Sequence, residues 1–204
     1  RFRSAGRSES PVPPRLVVPL WGLAAGMAAA VFAATSIGAL GAAGGVHVGL
    51  SEAAAGYLIA AGGIAGLAVR LLSGAYADRA VFDSLHAVAM LVLIGGFGWL
   101  AMSADEPLLY AVGLIVANAF GWGWPGLQHL SMARRFPTAT AAASGISQTG
   151  VALGLLLGPA ALGLLVTTAG WSWSWLAAAT AAFIGAGVVW FSAARIPQNS
   201  TDPG

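Results

Sequence analysis

The run LVVPLWGLAAGMAAAVFAATSIGALGA, residues 16–42, carries no charged side chain and no polar cluster wide enough to end it. A hydrocarbon core of about 30 Å takes about 20 apolar residues in a helix, so a run of this length crosses a membrane. It is apolar all round, whereas the strands of a membrane barrel alternate lipid-facing apolar and inward polar residues. A secretory signal has a short apolar region and a small-residue cleavage site, and this run continues past Ala34 with neither.

Five further runs of the same kind lie downstream: Ala53–Ala77, Leu85–Ser103, Pro107–Met132, Ala139–Thr168 and Trp171–Ala194. The expected fold class is therefore an all-α membrane protein with six transmembrane helices over residues 16–196. An Arg-, Ser- and Pro-rich linker (1–15) precedes it and a short tail (197–204) follows. Composition agrees, since 58% of the 204 residues are hydrophobic and 8% charged, where soluble domains carry about a quarter charged. Six spans leave no room for a separate catalytic domain. The absence of cysteine removes disulfides, thiol catalysis and thiolate metal sites. Three scattered histidines offer no ligand cluster, and neither a metal nor a cofactor is expected.

The sequence pI near 9.7 rests on nine basic residues, all arginine. They stand in ones and twos between apolar runs, which points to membrane topology rather than to a nucleic-acid surface. With six spans, the tails and the loops after spans two and four share one side. That side holds Arg1, Arg3, Arg7, Arg15, Arg79, Arg134, Arg135 and Arg195, while the other holds Glu52, Asp105 and Glu106 and no arginine. The positive-inside rule then sets both termini in the cytoplasm of a cell whose inner membrane holds the chain.

Glycine (29 residues) and alanine are dense in every span, as close helix packing in lipid requires. Gly150, Gly154 and Gly158 line one helical face, with Pro159 next. The face serves helix–helix contact or, with the proline, a bendable gating helix. Pro125 and Pro159 each remove a backbone donor, so a kink is expected at both.

Gly74-Ala75-Tyr76-Ala77-Asp78-Arg79 closes the second run. It resembles the G-x-x-x-D-R loop motif of the major facilitator superfamily, without the further basic residues of the full pattern. Two more stretches carry the likeness. One is Gly121-Trp122-Gly123-Trp124-Pro125-Gly126, followed by Arg134-Arg135-Phe136-Pro137. The other is Ala143-Ser144-Gly145-Ile146-Ser147-Gln148-Thr149-Gly150, running into Gly158-Pro159. Together they are similar to the fourth and fifth helices of the C-terminal half of bacterial permeases of that superfamily.

The resemblance covers residues 16–196 and implies half of a twelve-helix bundle, with the first run as the seventh helix and the last as the twelfth. Residues 1–15 would close a central cytoplasmic linker, which fits a start at Arg1 rather than Met. It further implies transport of a small solute by alternating access, against an N-terminal six-helix half, with substrate bound between the halves. Gly74, Asp78 and Arg79 would then form a gating loop that favours one conformational state.

Arg70 lies eight residues before Asp78, about 12 Å deeper along a helix. A charge near the middle of a span costs about 2.5–3.5 kcal/mol on insertion scales, so one that persists faces a cavity or a partner, or snorkels to the headgroups. Facing a cavity, Arg70 would favour an anionic solute. In span four, Asn118, Trp122, Pro125 and His129 fall on one helical face, with Trp124 and Gln128 on the next; span five offers Ser144 and Gln148. These amides and rings either bind substrate or make interhelical hydrogen bonds and packing contacts. Trp171, Trp173 and Trp175 match an interfacial aromatic belt. No carboxylate falls near the middle of a span, so proton coupling would draw on the other half or on His129.

Enzyme readings find no footing. Ser144-Gly145 has no histidine after His129 to serve as a base, and no Walker or HExxH motif occurs. The runner-up is a standalone six-helix membrane protein, a homodimer or a non-transporting partner subunit, with the Gly150–Gly158 face as its dimer contact.

Overall fold

In hydrocarbon no water is present to satisfy backbone N–H and C=O groups, so each apolar run must bond within itself, and a helix does this. The computed structural model describes residues 11–79 and 83–197, apart from the side chains of Asp78 and Arg79. Its helices are α1 (Pro14–His47), α2 (Glu52–Arg79), α3 (Ser84–Met102), α4 (Pro107–Gly121), α5 (Pro125–Arg135), α6 (Thr140–Ala169) and α7 (Trp171–Ala193). There is no strand among the described residues. With α4 and α5 taken as one crossing, six segments are long and apolar enough to span a membrane. Most of the 1–15 linker and the 197–204 tail lie outside the described residues.

The first helix runs to His47, five residues past the expected end at Ala42. Gly44 and Gly45 look like helix terminators in sequence, yet here they are contact points. A Cβ on Gly44 would lie 2.5 Å from Tyr110 Oη and 2.8 Å from Trp175 Cζ2, and one on Gly45 would lie 2.9 Å from Ala55 Cβ. At about 1.5 Å per residue α1 is about 50 Å long, more than a bilayer core needs upright.

Glycines set the packing, and α1 is its centre. Gly150, Gly154 and Gly158 of α6 press on its backbone. A Cβ at Gly150 would meet the Ala24 carbonyl, one at Gly154 would come within 2.6 Å of Ala28 O, and one at Gly158 within 2.6 Å of Phe32 O. On another side Gly26 of α1 and Gly185 of α7 approach each other's backbones. In the same way α3 meets α4 through Gly98 and Gly113. The Gly150–Gly158 face is thus filled from within the chain and is not open to a second copy. The helix continues through Pro159 without a break.

Side-chain donors tie other helices to α1. Tyr110 Oη donates to Gly41 O (2.7 Å), Trp122 Nε1 to Ala34 O (3.0 Å) and Trp99 Nε1 to Ser36 Oγ (3.0 Å). Two helices stay on the outside: 11% of the apolar window of α2 and 22% of that of α6 are buried, against 44–50% for the other four.

Gly150→Ala is expected to lower stability in detergent by about 1–3 kcal/mol, because the new methyl meets backbone that cannot rotate away. Gly163→Ala, on the same helix with nothing within 4 Å of its Cβ position, is the control and should be neutral or stabilising. Equal unfolding profiles for the two variants would contradict this packing.

Candidate functional site

The fourth span breaks between Gly121 and Pro125. Proline lacks the N–H that would reach back to the carbonyl four residues earlier, and its ring crowds that carbonyl. The carbonyl in question is Gly121 O, and the indole Nε1 of Trp124 takes the place of the missing donor at 2.7 Å. Trp122 O, the next carbonyl left without its helical partner, accepts the Nε–H of Arg70 from α2 at 2.7 Å. A positive guanidinium at the C-terminal end of α4 also suits the helix dipole. The neighbouring helix comes close at this point: a Cβ on Gly123 would lie 2.6 Å from Val69 Cγ1.

The break divides the helical face expected to carry Asn118, Trp122, Pro125 and His129 together, because α4 stops before Trp122 and α5 restarts at Pro125. Asn118 Nδ2 donates to Ile59 O of α2 (3.3 Å). The Trp122 ring stacks on that of Trp124, at 6.4 Å between centroids. Trp124 and Gln128 are buried, and Gln128 Nε2 donates to Ser147 Oγ of α6. The Gln128 Oε1 and Ser131 Oγ atoms are buried without a partner among the described residues. Gly74 is half-buried on α2, with nothing near its Cβ position. The Asp78 and Arg79 side chains lie outside the described residues.

The structure brings His129 of α5 and Gln148 of α6 together, while Arg70 stands on α2 at a similar depth. Arg70 is exposed and, among the described residues, its two Nη groups have no partner. His129 is exposed on α5, with Nδ1 2.8 Å from Pro125 O and Nε2 3.3 Å from the half-buried Gln148 amide of α6. Arg70 is nine residues from the end of α2, His129 six from the end of α5 and Gln148 eight from the start of α6. All three thus sit about 9–14 Å inside the same, Arg-rich end of the bundle. Among the described residues no group of three or more His, Cys, Asp and Glu could hold a metal.

At that end a second polar cluster stands that the motif reading missed. Arg135 is buried and donates to Asp83, to Ile196 O and to Ala193 O (the last at 3.3 Å), which joins α5 to the start of α3 and the end of α7. Asp83 also caps α3, accepting from Leu85 N at 2.9 Å, and its Oδ2 lies 2.8 Å from His86 Nδ1. The His86 ring meets Trp190 edge-on at 4.4 Å. The available signal was an aspartate just before an apolar run, an ordinary N-cap. Arg134, the adjacent cation, donates instead to Ala77 O near the end of α2 (3.2 Å).

Burial pushes the Asp83 carboxyl upward, but the hydrogen bond and charge of Arg135, with the bonds to His86, outweigh it and hold the group below its ordinary value. A lowered folded-state pKa contributes stability above the unfolded value, which is lost as pH falls through the folded one. Unfolding followed against pH should therefore show a loss below about pH 4 that is absent in Asp83→Asn. At neutral pH that variant should be less stable by about 1–3 kcal/mol, since it weakens the partner of a buried arginine. An unchanged acid limb would contradict the assignment. No family model matches the chain, and no curated protein matches it.

Proposed function

We propose that this chain is the C-terminal six-helix half of a secondary transporter of the major facilitator kind. It works in the inner membrane with both termini in the cytoplasm, moving a small solute against an N-terminal half. The observation that carries the reading is the flank of Arg70, His129 and Gln148. Three polar side chains at one depth would be costly against lipid, and such groups face a water-filled cavity or protein. Large apolar side chains are exposed on the outer helices as lipid contact requires, Ile64, Leu67 and Leu71 on α2 and Leu153 and Leu156 on α6 as well as Phe97 on α3 and Ile184 on α7, so the three polar groups stand out among them.

The donor inventory supports an anionic solute. Arg70 offers its Nη hydrogens and Gln148 an amide; Glu52, Asp105 and Glu106 stand at the opposite end of the bundle, Asp83 is held by Arg135, and Asp78, whose side chain is not described, lies eight residues from Arg70 at the end of α2. An unpaired guanidinium in a closing, dehydrating cavity is stabilised by a bound anion. The rival dimer reading loses its contact face, because Gly150, Gly154 and Gly158 are filled by α1.

The chain has no cysteine, so single cysteines report accessibility cleanly. Thr149 and Ile184 are both exposed and both nine residues from the Arg-rich ends of their helices, Thr149 next to Gln148 on α6 and Ile184 on α7. In vesicles, Thr149→Cys should react with a water-soluble maleimide at least about ten times faster than Ile184→Cys, because only a thiol in contact with water ionises and reacts. Equal and slow reaction at both sites would place the flank in lipid and remove the transport reading.

A further inference from the structure

A hydroxyl in a helix that crosses lipid has one easy acceptor, the carbonyl three or four residues back in its own helix. Ser36, Ser73, Thr140, Thr149 and Thr180 all donate to it. Ser131 of α5 does not: its Oγ is buried, with the residue 2% exposed, and has no partner among the described residues. One turn earlier on the same face, Gln128 is 1% exposed; its Nε2 donates to Ser147 Oγ of α6, and its Oε1 is left over. Residues three apart on a helix are neighbours, with about 5–6 Å between their Cβ atoms. Turning the Gln128 amide over would let Ser147 donate to Oε1 and leave Nε2 as the orphan, so one end of the amide is unbonded in either setting. An unmet polar group inside a span costs free energy that no bulk water offsets, and two stand here at neighbouring positions.

We propose that Gln128 and Ser131 hold a buried water molecule, which accepts from the Ser131 hydroxyl and donates to Gln128 Oε1. A buried water makes about three hydrogen bonds. Ser147 Oγ, which accepts from Gln128 and keeps a hydrogen of its own to give, is the third partner. The chemistry of these groups selects water over an ion. A cation here would meet neutral oxygens alone, because the carboxylate that reaches α5, Asp83, is bound by Arg135, and a buried charge without a counter-charge is costly. An anion would face the lone pairs of Oε1. Water gives and accepts without bringing a charge. Leu127, Met132 and Ala143, beside these residues in the chain or one turn away, are buried as well, so apolar side chains close the site. Gln128 is seven residues from the end of α5 and Ser147 seven from the start of α6. Each stands one position before a member of the His129–Gln148 contact, so the water braces α5 against α6 from the buried side of that contact. The site goes beyond the transport reading and does not depend on it.

The test is made on the full chain. A crystal structure grown from a lipid phase, at a resolution that shows ordered water, should place one within hydrogen-bond distance of both Gln128 Oε1 and Ser131 Oγ. Reversible unfolding in mixed micelles reads the same site by the sign of its effect. With no molecule bound, Ser131→Ala removes an orphan hydroxyl and improves helix propensity, so the unfolding constant stays the same or falls. With the water in place, the variant strips it of a partner, and the unfolding constant should rise by about threefold or more. Gln128→Met should raise it too. The double variant should then fall short of the product of the two single effects by a factor of about two or more, because both lose the same molecule. Replacing sodium by choline, or chloride by gluconate, should leave all these values unchanged. A map in which both atoms bond protein groups, an unfolding constant that does not rise in Ser131→Ala, single effects that multiply, or a dependence on sodium or chloride would each overturn the proposal. Where Gln128→Met does not fold, Ser131→Ala decides alone, since it removes one oxygen and adds no bulk.

Discussion

Every carbonyl in a membrane span must find a donor inside the protein, and the break at Gly121–Pro125 is where this chain meets that demand with side chains. Proline removes one helical donor, the bend removes another, and Trp124 and Arg70 replace them. Arg70 therefore has two ends with different duties. Its Nε holds the stub of α4, and its Nη groups have no partner among the described residues. The bond from Nε to Trp122 O ties the position of the guanidinium on α2 to the end of α4.

The glycine contacts explain why the flank lies where it does. Helix α1 gives its small-residue faces to α6 and α7, and its carbonyls to Tyr110 and Trp122, so its polar backbone surface is taken up inside the bundle. What remains open belongs to α2 and α6, the two least buried crossings. Those two, with α5 between them, carry Arg70, His129 and Gln148. An association between copies through the GxxxG-type face is removed by the same glycine contacts.

Much of the fold was legible because length and hydrophobicity decide it. The six crossings follow from apolar runs alone, and most of their ends fall within one or two residues of the expected positions. The end of α1 was not legible: a glycine that stops a helix and a glycine that admits Tyr110 look alike in one dimension. The two prolines show the same limit. Pro125 ends a helix and Pro159 does not, and Pro125 has a preceding Trp124 whose indole replaces the lost donor, in a stretch where Gly123 lets α2 approach. The site was half legible. Residue chemistry singled out Arg70, Gln148 and His129, but helical spacing grouped His129 with Asn118 and Trp122, and a broken helix does not keep spacing.

Both ends of the bundle carry a histidine–aspartate pair with a tryptophan against the histidine, yet the two are not equivalent. At the Arg-rich end, Asp83 holds His86 and the buried Arg135, and Arg135 reaches the last carbonyls of the chain's final helix. Three helix ends are tied there through groups largely shielded from solvent, where electrostatic bonds are strong. At the far end, His47 pairs with Asp105 at 3.2 Å and stacks on Trp171, with both side chains of the pair nearly half exposed. Asp105 holds a left-handed backbone conformation to do so, with φ at 56°. Exposed pairs of this kind contribute little, about 0–1 kcal/mol. The two ends are therefore held by different means: the basic end by the shielded Arg135–Asp83 pair, and the far end by close packing of Gly44 and Gly45 against Tyr110, Trp175 and Ala55, with Tyr110 bonded to Gly41 O.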